Sequence, residues 1–168
     1  MTPLEREVLR LFDQHHRPLY RFAWRLTGSA ADAEDSVQEA FLALLRPDCA
    51  FDPARSDIRT YLYGAVRNQC RKRLRGFAKD DVTEPSDVRT PEAAALRGEV
   101  ADAVAAAVTA LPETQREILI LAHYEQLPLA EIAEIAGLEL GAVKSRLQRA
   151  RAALREALAA FAPVEKQS

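Results

Sequence analysis

The segment YLYGAVRNQCRKRLR, residues 61–75, carries an aromatic ring, a carboxamide and a run of guanidinium groups along one helical stripe. At about 100° per residue, Tyr61, Gly64, Asn68, Arg71 and Arg75 fall on one side, with Arg67 beside them. Ile58, Leu62, Ala65, Val66, Gln69 and Cys70 fall on the other. Such a stripe suits single-stranded nucleic acid: a base stacks on the ring, its edge meets the amide, and its phosphates meet the arginines. Gly64 costs helix propensity but lets a ligand backbone come close. The same residues also fit a basic last turn that complements the helix dipole, with Tyr61 at the rim of a core.

A second constellation is PLAEIAEIAGLELGAVKSRLQRARAALREAL. A short helix over 129–136 turns Ile132 and Ile135 inward and sets small Ala133 where another helix must approach. Gly137 then supplies a left-handed turn, and a long helix starts near Leu140. Val143, Leu147, Ala150, Leu154 and Leu158 share one side of that long helix. Gly141, Ser145, Gln148 and Arg149 lie opposite, flanked by Lys144, Arg146 and Arg151. This is helix-turn-helix spacing, and a major groove admits one such helix. Ser145, Gln148 and Arg149 can reach base edges while Lys144, Arg146 and Arg151 neutralise phosphates. The competing description is a solvated face on a three-helix bundle. Against it, the basic residues from Lys144 to Arg155 have no acid between them.

A third lies in DAEDSVQEAFLALL, where Ala33, Val37, Phe41 and Leu44 make a core face. Asp32, Asp35 and Glu39 point away from it with Leu42 among them and Gln38 at the edge. Acids near a helix start complement the dipole, which accounts for Asp32 and Asp35. A leucine inside an acidic stripe is what a surface for a basic partner helix would present, although single exposed leucines are common.

The elements that must position these residues are helices, with no period-two alternation anywhere. The chain has 168 residues, 48% of them apolar and 29% charged, and a net charge of −2, values of a globular rather than a membrane protein. It has no window of about 18 apolar residues and no secretory signal at MTPLEREVLRLFDQ, so a cytoplasmic location without membrane insertion is expected. Cys49 and Cys70 have no partners at metal-ligand spacing, and His15, His16 and His123 form no ligand motif. No phosphate loop or nucleophile elbow is present. Neither a cofactor nor an enzymatic activity is therefore expected. Thr2-Pro3-Leu4-Glu5 reads as a capping box opening a helix with Leu4, Val8, Leu11 and His15 at three-four spacing. Pro18 should break or kink it before Leu19, Phe22, Ala23 and Leu26 resume the pattern up to Gly28. Residues 49–57 read as a loop, with Ser56 or Asp57 capping the helix that follows. The acidic, proline-bearing KDDVTEPSDVRTPE cannot bury enough surface to fold and marks a flexible linker. The expected fold is all-α: two small helical domains, residues 1–78 and 95–163, joined by a linker over 79–94, each near the lower size limit for a self-sufficient core.

In this order and spacing, LYRFAWRLTGSAADAEDSVQEAFLALL, FDPARSDIRTYLYGAVRNQCRKRLR and LPETQREILILAHYEQLPLAEIAEIAGLELGAVKSRLQRARAALREAL resemble the extracytoplasmic-function (ECF) sigma factors of the sigma-70 family. The resemblance implies a non-enzymatic transcription initiation factor whose partners are core RNA polymerase, promoter DNA and an anti-sigma factor. It implies core polymerase contacts at Asp35, Gln38, Glu39 and Leu42. It implies minus-ten capture of a flipped base by Tyr61, Gly64, Arg67, Asn68, Arg71 and Arg75 with the loop 51–56. Minus-thirty-five contacts would come from Gly141, Lys144, Ser145, Arg146, Gln148 and Arg149. Residues 111–127 resemble the segment that meets the polymerase flap. The family often has Trp where this chain has Tyr61 and Arg where it has Gly64. Two rivals use less of the chain: an autonomous helix-turn-helix regulator, and a sigma mimic that binds an anti-sigma protein without engaging DNA.

Overall fold

The first helix starts as its capping box requires. In the computed structural model, which describes residues 1–76 and 91–161 (side chains of 91–97 excepted), Thr2 accepts from the Glu5 amide while Glu5 accepts from the Thr2 amide at 2.7 Å. This helix, α1 (Pro3–Thr27), runs unbroken through Pro18 to a left-handed cap at Gly28, φ 71°. The expected break at Pro18 does not occur. An interior proline costs ~3 kcal/mol. Burial of Leu19, Phe22 and Leu26 directly after it contributes about 1.5–3 kcal/mol apiece, which holds the helix through the missing hydrogen bond. Leu4, at the near end of the expected apolar face, is exposed, and packing begins at Val8.

Ser29 caps α2 (Ala30–Ala43) by accepting from the Asp32 amide, and Ala33, Val37, Phe41 and Leu44 are all buried as the wheel required. The segment before α3 (Ile58–Gly76) is a loop, and the Asp57 carbonyl accepts the Tyr61 amide. On α3, Leu62, Val66 and Cys70 face the core. The three helices pack on one another as a bundle.

The expected linker lies outside the described residues as far as position 90; positions 91–94 form the first turn of α4 (Pro91–Ala110). Ala107, Val108 and Leu111 are buried at its end, whereas Val100 is exposed. Pro112 starts α5 (Glu113–Leu119), which continues as a π turn through Ile120–Tyr124. Pro128 starts α6 (Leu129–Ala136), Gly137 reverses the chain at φ 66°, and α7 (Leu140–Ala157) follows, ending in a 3-10 turn. Val143, Leu147 and Ala150 seal α7 against α5. The α4–α5 corner is held by the half-buried Arg116, which donates to the carbonyls of Thr109 (2.9 Å) and Leu111 (3.0 Å).

Both bundles are helical, and among the described residues there is no strand. They do not stand apart: α3 packs on α6, α1 packs on α5 and the π turn, and one apolar core runs through both. Among the described residues no helix is long and apolar enough to cross a membrane.

Candidate polymerase and nucleic-acid interfaces

The acidic stripe of α2 faces outward. Asp35 and Gln38 are exposed, Glu39 is half-exposed, and Leu42 keeps 51% of its surface in solvent. Their polar partners are peripheral. Asp35 lies 3.8 Å from Arg73, Glu39 3.5 Å from Arg46, and Gln38 donates weakly to Glu34 at 3.4 Å. Surface pairs of this kind contribute ~0–1 kcal/mol, so the carboxylates can re-pair with an incoming cation at little cost. An open groove of about 540 Å³ runs beside the stripe between α1 and α2, floored by Phe12, Tyr20 and Val37.

The face of α7 opposite its core is equally open. Gly141, Lys144, Ser145, Gln148 and Arg149 are exposed and Arg146 is half-buried. Arg151 is turned aside, donating to His123 at 3.0 Å. Base-reaching and phosphate-holding groups therefore project from the first half of a helix whose rear is anchored by buried Val143 and Leu147.

The α3 stripe is different. Tyr61 is half-buried, its ring 5.0 Å from that of Phe51 and its hydroxyl 3.8 Å from Cys49 Sγ; burial, then the contact with Cys49, pushes the phenol's pKa up. The loop 51–56 therefore meets the aromatic head of the stripe through Phe51. Asn68 and Arg75 are exposed. Arg67, however, is in a buried ion pair with Glu117 of α5, and Arg71 lies 3.4 Å from Glu113. Gly64 faces the end of α6, where a Cβ would stand 3.9 Å from the Ile135 carbonyl oxygen, an ordinary contact. The backbone nearest Gly64 in this structure is that of α6.

Sequence patterning missed the residues that join the bundles. Arg59 and Glu131 form a bidentate pair at 2.9 and 2.6 Å, and Thr60 donates to the same carboxylate at 3.0 Å. Tyr63 is buried and donates to Glu125 at 2.9 Å. Arg25 stacks over Tyr124 with its guanidinium 4.2 Å from the ring centre. Glu117 is the deepest of these groups, 2% exposed; burial raises its pKa, and the attraction of Arg67 offsets that only in part. The available signal was the acid in REILIL, a charge placed inside an otherwise apolar run.

Family models for sigma-70 region 2 and sigma-70 region 4 match residues 11–79 and 101–154. The chain is 36% identical over 148 residues to the ECF RNA polymerase sigma factor SigM of Mycobacterium tuberculosis, covering 86% of this chain and 74% of SigM. It belongs to the ECF sigma factors of the sigma-70 family. The ECF RNA polymerase sigma factor SigE of Mycolicibacterium smegmatis is 32% identical over 164 residues, and this sigma factor, matched over 94% of its length, spans 64% of SigE. The structure of the sigma factor RpoE bound to the anti-sigma factor NepR, from Bartonella quintana, superposes with a TM-score of 0.65 at 25% identity, covering 96% of this chain and 98% of that one. The boundary between the two matched regions falls where the acidic stretch separates the two bundles.

Proposed function

We propose that this sigma factor joins core RNA polymerase through α2, reads the minus-thirty-five element with α7 and captures the melted minus-ten strand with α3. One observation supports this above others: the acidic, leucine-bearing face of α2 and the amide- and guanidinium-bearing face of α7 are both solvent-facing, on opposite bundles of one chain. Asp35, Gln38, Glu39 and Leu42 meet a basic helix of the enzyme. Lys144 and Arg146 hold phosphates, Ser145, Gln148 and Arg149 address base edges, and Gly141 lets the backbone approach. Tyr61 stacks on a base, Asn68 hydrogen-bonds it, and Arg67, Arg71 and Arg75 hold the strand, with Gly64 leaving room for it. The residues do no covalent chemistry; flipping a base costs a few kcal/mol, which stacking and edge hydrogen bonds offset. The work takes place in the cytoplasm, and an anti-sigma protein is the expected partner, as the Bartonella protein is in complex with the anti-sigma factor NepR.

Two readers on one chain, mounted on polymerase, bind a correctly spaced promoter far more tightly than either alone. A net charge of −2 also keeps affinity for bulk DNA low. Fluorescence anisotropy with a promoter fragment, with and without core enzyme, tests this. Binding by the isolated chain should be weak and salt-sensitive, and tight binding should require core. Tight, sequence-specific binding without core would instead mark an autonomous regulator.

A further inference from the structure

Of the basic residues on α7, only Arg151 has a side-chain partner among the described residues: its Nε–H donates to Nε2 of His123, on the π turn, at 3.0 Å. A guanidinium has no acceptor, so the imidazole accepts through Nε2 and carries its proton on Nδ1. That bond uses only the inner edge of the fork. Nη1 and Nη2 have no hydrogen bond among the described residues, and both Arg151 and His123 are exposed. The bond nevertheless spans fixed backbone, because Ala150 beside Arg151 and Leu121 at the start of the π turn are fully buried. The turn itself is closed by the Glu125 amide, which donates to the Ile120 carbonyl five residues earlier at 3.0 Å, and this wider geometry moves His123 off the α-helical wheel of α5. On the wheel of α7, Arg151 lies about 20° from Lys144 and about 10 Å further along the axis. The two residues line one flank of the base-reading face, with no acid between Lys144 and Arg155 to compete for the fork.

We infer that His123 is a positioning residue for promoter binding: it fixes the Nε edge of Arg151 and leaves Nη1 and Nη2 to clamp a phosphate of the minus-thirty-five duplex, beyond the one held by Lys144. The inference rests on α7 being the helix that reads that duplex. A planar fork matches two phosphate oxygens at once, and its two terminal nitrogens are the ones His123 leaves free. Arginine is rich in rotamers, so holding it before DNA arrives removes part of the ordering cost of binding. The contact carries no sequence information. It fixes how α7 lies along the groove, and with that which base edges Gln148 and Arg149 meet.

A phosphate contact acts on any sequence, so the test uses a fluorescent mixed-sequence duplex of about 30 base pairs, titrated with the full-length chain at several salt concentrations and read by anisotropy. Arg151→Ala should weaken binding roughly 5-fold and lower the slope of log affinity against log salt by about 0.9, the share of one phosphate. His123→Leu should weaken binding roughly 3-fold, whereas His123→Gln, whose carboxamide oxygen accepts the same bond, should stay within about 1.5-fold of wild type. In the Arg151→Ala background, His123→Leu should cost nothing further. Lys144→Ala serves as the reference for α7. If it weakens binding while Arg151→Ala changes neither affinity nor slope, the clamp is overturned and the duplex-reading role of α7 stands. If neither weakens binding, that role falls as well. A His123→Leu effect that persists without Arg151, or a His123→Gln variant as weak as His123→Leu, overturns the positioning role. So does tighter binding by His123→Leu, the sign of a histidine that keeps the arginine away from DNA.

Discussion

Asn68 is exposed on α3, its carboxamide oxygen 3.4 Å from Arg67 Nη1 and its amide nitrogen without a hydrogen bond among the described residues. In the proposed mechanism it is the group that reads an extruded base, and a good base-edge contact is worth ~1–3 kcal/mol. Asn68→Ala should therefore slow open-complex formation about tenfold while core binding stays unchanged, as followed by permanganate reactivity and by a polymerase binding assay. Unchanged melting would remove Asn68 from the base pocket. A second residue tests the backbone rather than the site. Exposed Gln126 sits at φ 53°, the left-handed region that glycine occupies without a Cβ penalty. Gln126→Gly should recover about 1 kcal/mol, visible as a rise of ~2–4 °C in Tm by calorimetry. A fall in Tm would mean that the added unfolded-state entropy outweighs the relieved strain. At this scale the buried thiol is inert: burial pushes the Cys70 pKa up to about 11, consistent with a small core residue rather than a reactive one.

At the scale of elements, much was legible because it is local. Caps and glycines sit within a few residues of the ends they set: Thr2 with Glu5, Ser29 with Asp32, Gly28 and Gly137 at left-handed turns. The inward faces of α2 and α7 follow from one period of 3.6: that of α2 is buried throughout, and that of α7 is buried from Val143 to Ala150, with Leu154 and Leu158 only half-buried toward its end. Pro18 was misjudged because its cost is local while the burial that offsets it is tertiary. The junction between bundles was not legible for the same reason. Arg67 and Glu117 are 50 residues apart, and Arg59 and Glu131 are 72 apart, so no spacing rule links them. Glu117 gives this junction a pH signature. Burial holds its proton more tightly in the folded chain than in the unfolded one, where the ordinary value is 4.5. A raised folded pKa contributes stability that is fully present below 4.5 and is lost as pH rises through the raised value. Relative to Glu117→Gln, which does not titrate, the wild type should lose stability as pH rises across that window, as read by thermal melts of both proteins. A wild type that instead gains stability with rising pH would show that Arg67 outweighs burial.

At the scale of the whole molecule, the two bundles face two requirements that conflict in a free chain. Their DNA-reading faces must be basic, yet a chain that holds single strands on its own would be diverted to every exposed strand in the cell. Basic faces offset by acids elsewhere on the chain meet both requirements, with a net charge of only −2. Polymerase then supplies the geometry, and tethering supplies the affinity. The measurement that bears most directly on this account is run-off transcription reconstituted from core RNA polymerase, the purified chain and a linear template library. Transcripts should arise from discrete start sites, each preceded by a common pair of elements at constant spacing, and should depend on addition of this chain. Core enzyme that binds the chain yet gives no chain-dependent transcript from any template, or a chain that fails to bind core at all, would contradict it.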